Sequence, residues 1–78
     1  MASFTEKQGQ YLAFIHAYTK LHHRPPAEAD MQAYFRVAPP TVHRMVVELA
    51  NRGLIHRRPG EPRSIKLLIP PEHIPVLR

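Results

Sequence analysis

The chain has no cysteine and no tryptophan, only three glycines, and six acidic residues against eleven lysines and arginines. Without cysteine there is no disulfide, no thiol nucleophile and no cysteine-bound zinc, so the fold must rest on packing. No apolar run approaches the roughly 18 residues that a membrane span needs. The opening MASFTEKQGQ also lacks the basic-then-apolar pattern of a secretory signal. A cytoplasmic protein with no membrane partner is the expectation. The 78 residues make one domain, and a domain this small buries only about 60% of its unfolded surface, which leaves no cleft between domains for an active site. The histidines His16, His22, His23, His43, His56 and His73 include no helical i, i+4 pair and no zinc-finger spacing. No metal, no cofactor and no enzymatic activity are expected.

What the chain does have is arginine, and it is unevenly placed. Residues 1–35 balance Lys7, Lys20 and Arg24 against Glu6, Glu28 and Asp30. Residues 36–66 set Arg36, Arg44, Arg52, Arg57, Arg58, Arg63 and Lys66 against Glu48 and Glu61, so this half carries the whole net charge of +5. Six of its seven cations are arginine, the side chain that grips phosphate or guanine with two parallel hydrogen bonds. A solvated basic face would have the same composition. Confinement of the charge to one structural unit favours nucleic acid.

The pattern predicts three helices and a hairpin. Thr5-Glu6-Lys7-Gln8 is a capping box, so the first helix starts at Glu6; Tyr11, Leu12, Ile15, Tyr18 and Thr19 form its apolar side, and Pro25 ends it near His22. The second helix runs from about Glu28 to Phe35 with Met31 and Phe35 inward, and Ala27 is a poor cap for it. About four residues, Arg36 to Pro39, separate it from a third helix over Pro40 to Arg52, whose buried stripe is Val42, Met45, Val46 and Leu49. That connection has the length found between the two helices of a helix-turn-helix. Gly53 supplies a left-handed stop. A strand over Leu54 to Arg58, a Pro59-Gly60-Glu61-Pro62 turn and a second strand around Ile65 and Leu67 complete a basic hairpin. Arg24-Pro25-Pro26 is a candidate third rung for the sheet. The domain is expected to span residues 1–69, followed by a proline-rich tail, Pro70 to Arg78, extended and loosely held.

The fold class is therefore mainly α with a small β-hairpin, a three-helix winged helix-turn-helix, and double-stranded DNA is the expected partner. In such folds the N-terminal half of the second helix of the motif enters the major groove, which here selects Pro40, Thr41, His43, Arg44 and Val47. Arg44 can pair with guanine O6 and N7, a contact worth about 1–3 kcal/mol of discrimination. Val47 either meets a thymine methyl or is a single exposed valine. Arg57, Arg58 and Arg63 flank the hairpin turn and suit phosphate contact or a minor groove, although charge also protects an edge hairpin from aggregation. No Ser, Thr, Asn or Asp caps Pro40. The N–H groups of Thr41, Val42 and His43 are thus open to a DNA phosphate or to water.

Four pieces of the sequence together resemble the winged-helix DNA-binding domain of LexA-type repressors. They are Phe4-Thr5-x-x-Gln8 leading into Ile15, Pro25-Pro26 before the short second helix, Leu49-Ala50-x-Arg52-Gly53-Leu54-Ile55, and Gly60-x-x-Arg63-x-Ile65-Lys66-Leu67-Leu68. The resemblance spans Phe4 to Leu68 and implies operator binding through the third helix and a role in transcription regulation. Two departures stand beside it. The turn around Arg36 to Pro40 is one residue shorter than in the family, and Thr41, Val42, His43 and Arg44 replace the small and acidic residues of the repressors' reading helix, so the operator is not carried over. Ser3 and Ser64 are the only serines, and both lie in the DNA-binding unit, so the Ser-Lys self-cleavage of those repressors is not expected here. A winged helix serving as a protein-protein or RNA interaction module stays open as an alternative. Ile74, Val76 and Leu77 in the tail either fold back on the first helix or offer a surface for a homodimer or a partner protein.

Overall fold

The computed structural model describes residues 3–78. Three helices, α1 (Glu6–His22), α2 (Glu28–Phe35) and α3 (Pro39–Asn51), are followed by strands β1 (Ile55–His56) and β2 (Lys66–Leu67) and a short 3₁₀ turn over Pro71–His73. None of the described helices is long and apolar enough to cross a membrane.

Local chemistry sets the helix ends. The Thr5 hydroxyl accepts from the Gln8 backbone N–H at 3.1 Å, while Gln8 Oε1 accepts from the Thr5 N–H at 2.9 Å, which completes the capping box. Gln8 also reaches across the fold, where its Nε2 donates to the Glu48 carboxylate and ties the start of α1 to α3. Ala27 cannot cap α2 with its side chain, but the Asp30 carboxylate accepts from the Ala27 N–H at 2.8 Å and supplies half of a box. Helix α2 closes on Arg36, which takes a left-handed conformation at φ 56 where glycine is the usual choice. At the end of α3, Gly53 at φ 73 lets its own N–H reach Ala50 O and the Leu54 N–H reach Leu49 O, both at 3.0 Å.

The core is one cluster. Leu12, Ile15, Met31, Val42, Val46, Leu49, Leu54 and Ile55 are almost wholly enclosed, with Tyr11, Phe14, Ile65 and Ile69 around them. Met45 packs at the margin of this cluster rather than inside it. Residues Tyr11 to Ile15 are all buried, so mid-α1 is covered on every side and its apolar face is wider than helical spacing predicts. Phe14 joins Tyr34 and Phe35 of α2, and Tyr11 stacks on Phe35 with centroids 4.1 Å apart. Thr19, placed on that face by its spacing, is exposed.

The tail corrects the expectation of a loosely held segment. It folds back over α1: Gln10 holds it at both sides, its Nε2 donating to Val76 O at 3.0 Å and its Oε1 accepting from the Arg78 N–H at 2.8 Å. Tyr34 donates to Arg78 O, Arg78 pairs with Glu6, and Ile74 and Leu77 pack against the core. Gly9 makes this close approach possible, because a Cβ there would lie 3.0 Å from both Phe4 and Pro75.

The hairpin is shorter than its sequence predicts. Only Ile55 with Leu67 and His56 with Lys66 form the antiparallel ladder, and Leu68 N–H adds a bond to Leu54 O. Beyond His56 a side chain replaces the ladder: Ser64 Oγ accepts from the Arg58 N–H at 2.9 Å and donates back to Arg58 O. Pro59-Gly60 then turns the chain, with Gly60 at φ 78 and Glu61 N–H bonded to Arg58 O. The sheet has two strands, with no third rung at Arg24-Pro25-Pro26. Pro25 and Pro26 have no N–H to donate to a ladder. The carbonyl of Pro25 instead accepts from Arg63 Nη1 at 3.1 Å.

Arg63 is the tie between hairpin and helices. A left-handed φ of 55 turns its side chain inward, where Nη1 also meets Tyr18 Oη at 3.1 Å and Asp30 Oδ2 at 3.2 Å. The hydrogen bond to Tyr18 raises its pKa further above the ordinary guanidinium value. Arg63→Ala is expected to lower the melting temperature and speed hydrogen exchange across Ile55 to Leu67, whereas Arg57→Ala leaves both unchanged; equal effects would contradict the anchoring role. Thr5→Ala is expected to cost about 1 kcal/mol in urea denaturation through loss of the cap. Leu49→Ala, which empties a fully enclosed core site, should cost about 2–5 kcal/mol. Burial also pushes the Tyr11 phenol above its usual pKa. The folded state therefore holds that proton more tightly than the unfolded chain, and stability should fall as pH rises past about 10, an effect that Tyr11→Phe removes.

Candidate nucleic-acid interface

Burial of Val42, Val46 and Leu49 decides which side of α3 faces out. Pro40, Thr41, His43 and Arg44 are all exposed along its first half, and Val47 is half-buried. The helix begins at Pro39, one residue before its expected start, and only Arg36 to Ala38 connect it to α2. Two prolines at the first two helical positions remove two of the free donors that a helix start normally presents. The Thr41 and Val42 N–H groups both turn to Ala38 O, at 3.0 and 3.4 Å. The start of α3 thus satisfies these two donors from its own backbone, which corrects the expectation that they stand open to a phosphate.

The hairpin stands beside this helix. Pro26, Glu28, His43, Val46, Arg57, Arg58, Glu61 and Arg63 are among the residues around one concave space between α2, α3 and the hairpin. Of the side chains predicted for the site, His43 from the helix and Arg57, Arg58 and Arg63 from the hairpin meet around this space, whereas Pro40, Thr41, Arg44 and Val47 are not among its lining residues. Their charges are not equivalent. Arg58 pairs with Glu61 across the turn, and Arg63 is spent on Tyr18, Pro25 and Asp30. Among the described residues no ion pair involves Arg44 or Arg57. Of the three hairpin arginines, the half-buried Arg57 is the one with no ion pair among the described residues, and Arg63 is held by contacts within the fold.

Two acidic residues near this surface are engaged. Glu48 is drawn toward Gln8 of α1, although helical spacing alone turns it outward. Glu28, at the start of α2, meets His43 Nδ1 with both carboxylate oxygens, at 3.3 and 3.2 Å. Glu28 lines the same space through a contact that spacing could not have found, since 15 positions separate it from its partner. No cluster of three or more His, Cys, Asp or Glu side chains able to hold a metal occurs among the described residues.

An outward face on α3, a short turn from α2 and a hairpin beside the helix form the arrangement of a winged helix-turn-helix. Comparison with known proteins agrees. The family model described as LexA DNA binding domain matches residues 1–64. The chain is 35% identical over 68 residues to the LexA repressor of Thermosipho melanesiensis, covering 87% of this chain and 34% of that repressor. It is 32% identical over 76 residues to the LexA repressor of Thermosipho africanus, covering 97% of this chain and 38% of the other. With the LexA repressor of Exiguobacterium sibiricum the identity is 35% over 86 aligned positions, 99% of this chain and 42% of the repressor. The chain thus spans between 34% and 42% of the length of these curated relatives. A match over most of the chain, on a fold that turns one helix outward beside a basic hairpin, makes this protein a member of the LexA DNA-binding-domain family.

Proposed function

We propose that the protein binds double-stranded DNA in a sequence-specific way and acts as a small transcriptional regulator of the repressor type, by binding and without catalysis. The observation that carries this reading is the separation of charge: Arg44 on the exposed face of α3 and Arg57 on the hairpin have no ion-pair partner among the described residues, while the inward cation Arg63 does. The names of the relatives, all repressors, support the regulatory part.

In this reading α3 enters the major groove with its first turns. Arg44 reads guanine O6 and N7, His43 and Thr41 meet base edges or phosphates, Pro40 fixes the first turn of the helix, and Val47 packs on a thymine methyl. Arg57 grips a phosphate. Arg58 joins it when Glu61 gives it up, and Arg63 supports both by holding the hairpin in place. One domain of this size contacts few bases, so two copies on adjacent half-sites, joined through the tail or by a partner protein, complete the proposal. The inward packing of Ile74 and Leu77 leaves Val76 as the exposed apolar residue of the tail for such a joint. Function on DNA without a membrane fits a cytoplasmic protein.

Titration of duplex DNA at several salt concentrations is expected to show log affinity falling linearly with log salt, by about 0.9 per phosphate contacted. Binding that ignores salt would contradict the proposal. In a panel of duplexes, Arg44→Ala should lose about 1–3 kcal/mol of preference at one base position, and Arg57→Ala should weaken every duplex alike and lower the salt slope. The opposite assignment of those two effects would reverse the roles given to helix and hairpin.

A further inference from the structure

The contact between Glu28 and His43 joins a carboxylate on α2 to a ring on the exposed face of α3. Both oxygens of Glu28 face Nδ1, and an ionised carboxylate only accepts hydrogen bonds. The nitrogen turned toward it must therefore carry the proton. In the neutral ring the other nitrogen, Nε2, is then an acceptor, with its lone pair free. The His43 side chain keeps 57% of its surface exposed while Glu28 keeps 33%, so the carboxylate lies nearer the body of the protein and the ring extends beyond it.

From this geometry, and resting on the proposed binding of duplex DNA, we infer that Glu28 is a specificity-determining residue that fixes the His43 tautomer, so that His43 selects bases carrying an amino group in the major groove. Adenine N6 and cytosine N4 are the donors displayed there, whereas guanine O6 and thymine O4 are acceptors. An Nε2 lone pair gains a hydrogen bond from the first two and faces an unpaired acceptor on the others, so discrimination comes from both attraction and repulsion. Glu28 touches no base in this arrangement. It acts through the ring, and its reach depends on the short α2–α3 connection that sets the start of α2 beside the second turn of α3.

Other charged groups face the same space. Arg57, Arg58, Glu61 and Arg63 approach from the hairpin, with Arg58 held by Glu61 and Arg63 by Asp30. Neither pair needs Glu28. A doubly protonated His43 would turn Nε2 into a donor and reverse the preference.

Site selection from random duplexes, followed by affinity measurements on four duplexes differing at one column, tests this on the full chain. Wild type is expected to favour adenine or cytosine over guanine or thymine at one position by about fivefold or more, the size of one hydrogen-bonded base contact. Glu28→Ala should reduce that ratio below about twofold, a release of the tautomer with the ring still present. Glu28→Gln, whose amide can offer Nδ1 either a donor or an acceptor, should lose at least about half of the preference and guards against a folding defect in the alanine variant. In a His43→Ala background, Glu28→Ala should change nothing further at that column, an outcome that a merely structural role would not give. A preference retained by Glu28→Ala, or an equal effect of Glu28→Ala with and without His43, overturns the inference. Salt-dependent binding with no amino-selective column overturns it alone, and absence of salt-dependent binding overturns the proposed function as well.

Discussion

The burial of Val42, Val46 and Leu49 in the common core is the constraint on which the rest of the molecule depends. There is no disulfide to orient α3, so its rotation about its own axis is set by which residues leave water. Once those three are inside with Leu12, Ile15 and Met31, the positions of His43 and Arg44 follow from the 100° step of the helix. The same packing brings Glu48 toward Gln8, so one buried amide caps α1, anchors α3 and engages the carboxylate of the exposed Glu48.

A second layer of order comes from arginine used in two ways. Arg57 and Arg63 look alike in sequence, on either side of a proline-glycine turn. The left-handed backbone at Arg63 directs its guanidinium into a polar niche formed by α1, the segment before α2, and α2 itself. A two-rung hairpin has little stability of its own. Three contacts from one side chain hold it against the helices and so fix where Arg57 stands. The hairpin therefore uses one cation internally, and that cation positions another.

Much of this is legible in the chain because it rests on local rules. The capping box at Thr5 and Gln8, the left-handed Gly53 and the proline-glycine turn act over a few residues each, and the buried stripe of α3 follows helical spacing at Val42, Val46 and Leu49, with Met45 at its margin. The concentration of charge in residues 36–66 likewise points to the functional half. The features that spacing misses share one cause, which is contact between residues distant in sequence. The tail looks weakly packed in sequence because its partners Gln10 and Tyr34 lie far upstream. Arg63 looks like its neighbours because Tyr18, Pro25 and Asp30 meet it only after folding. The helix start at Pro40 differs for a local reason: a start at Pro39 lets Ala38 O satisfy the donors of Thr41 and Val42.

By itself the sequence determined the element order, the winged helix-turn-helix class and the set of outward residues on α3, since hydrogen-bonding rules and helical periodicity need only short stretches of chain. Tertiary structure decided which of the cations are free, what holds the hairpin, and which acid faces His43. Those outcomes depend on where side chains 15 to 45 residues apart come to lie. Charge pairing falls off with distance in space, and spacing along the chain does not report that distance.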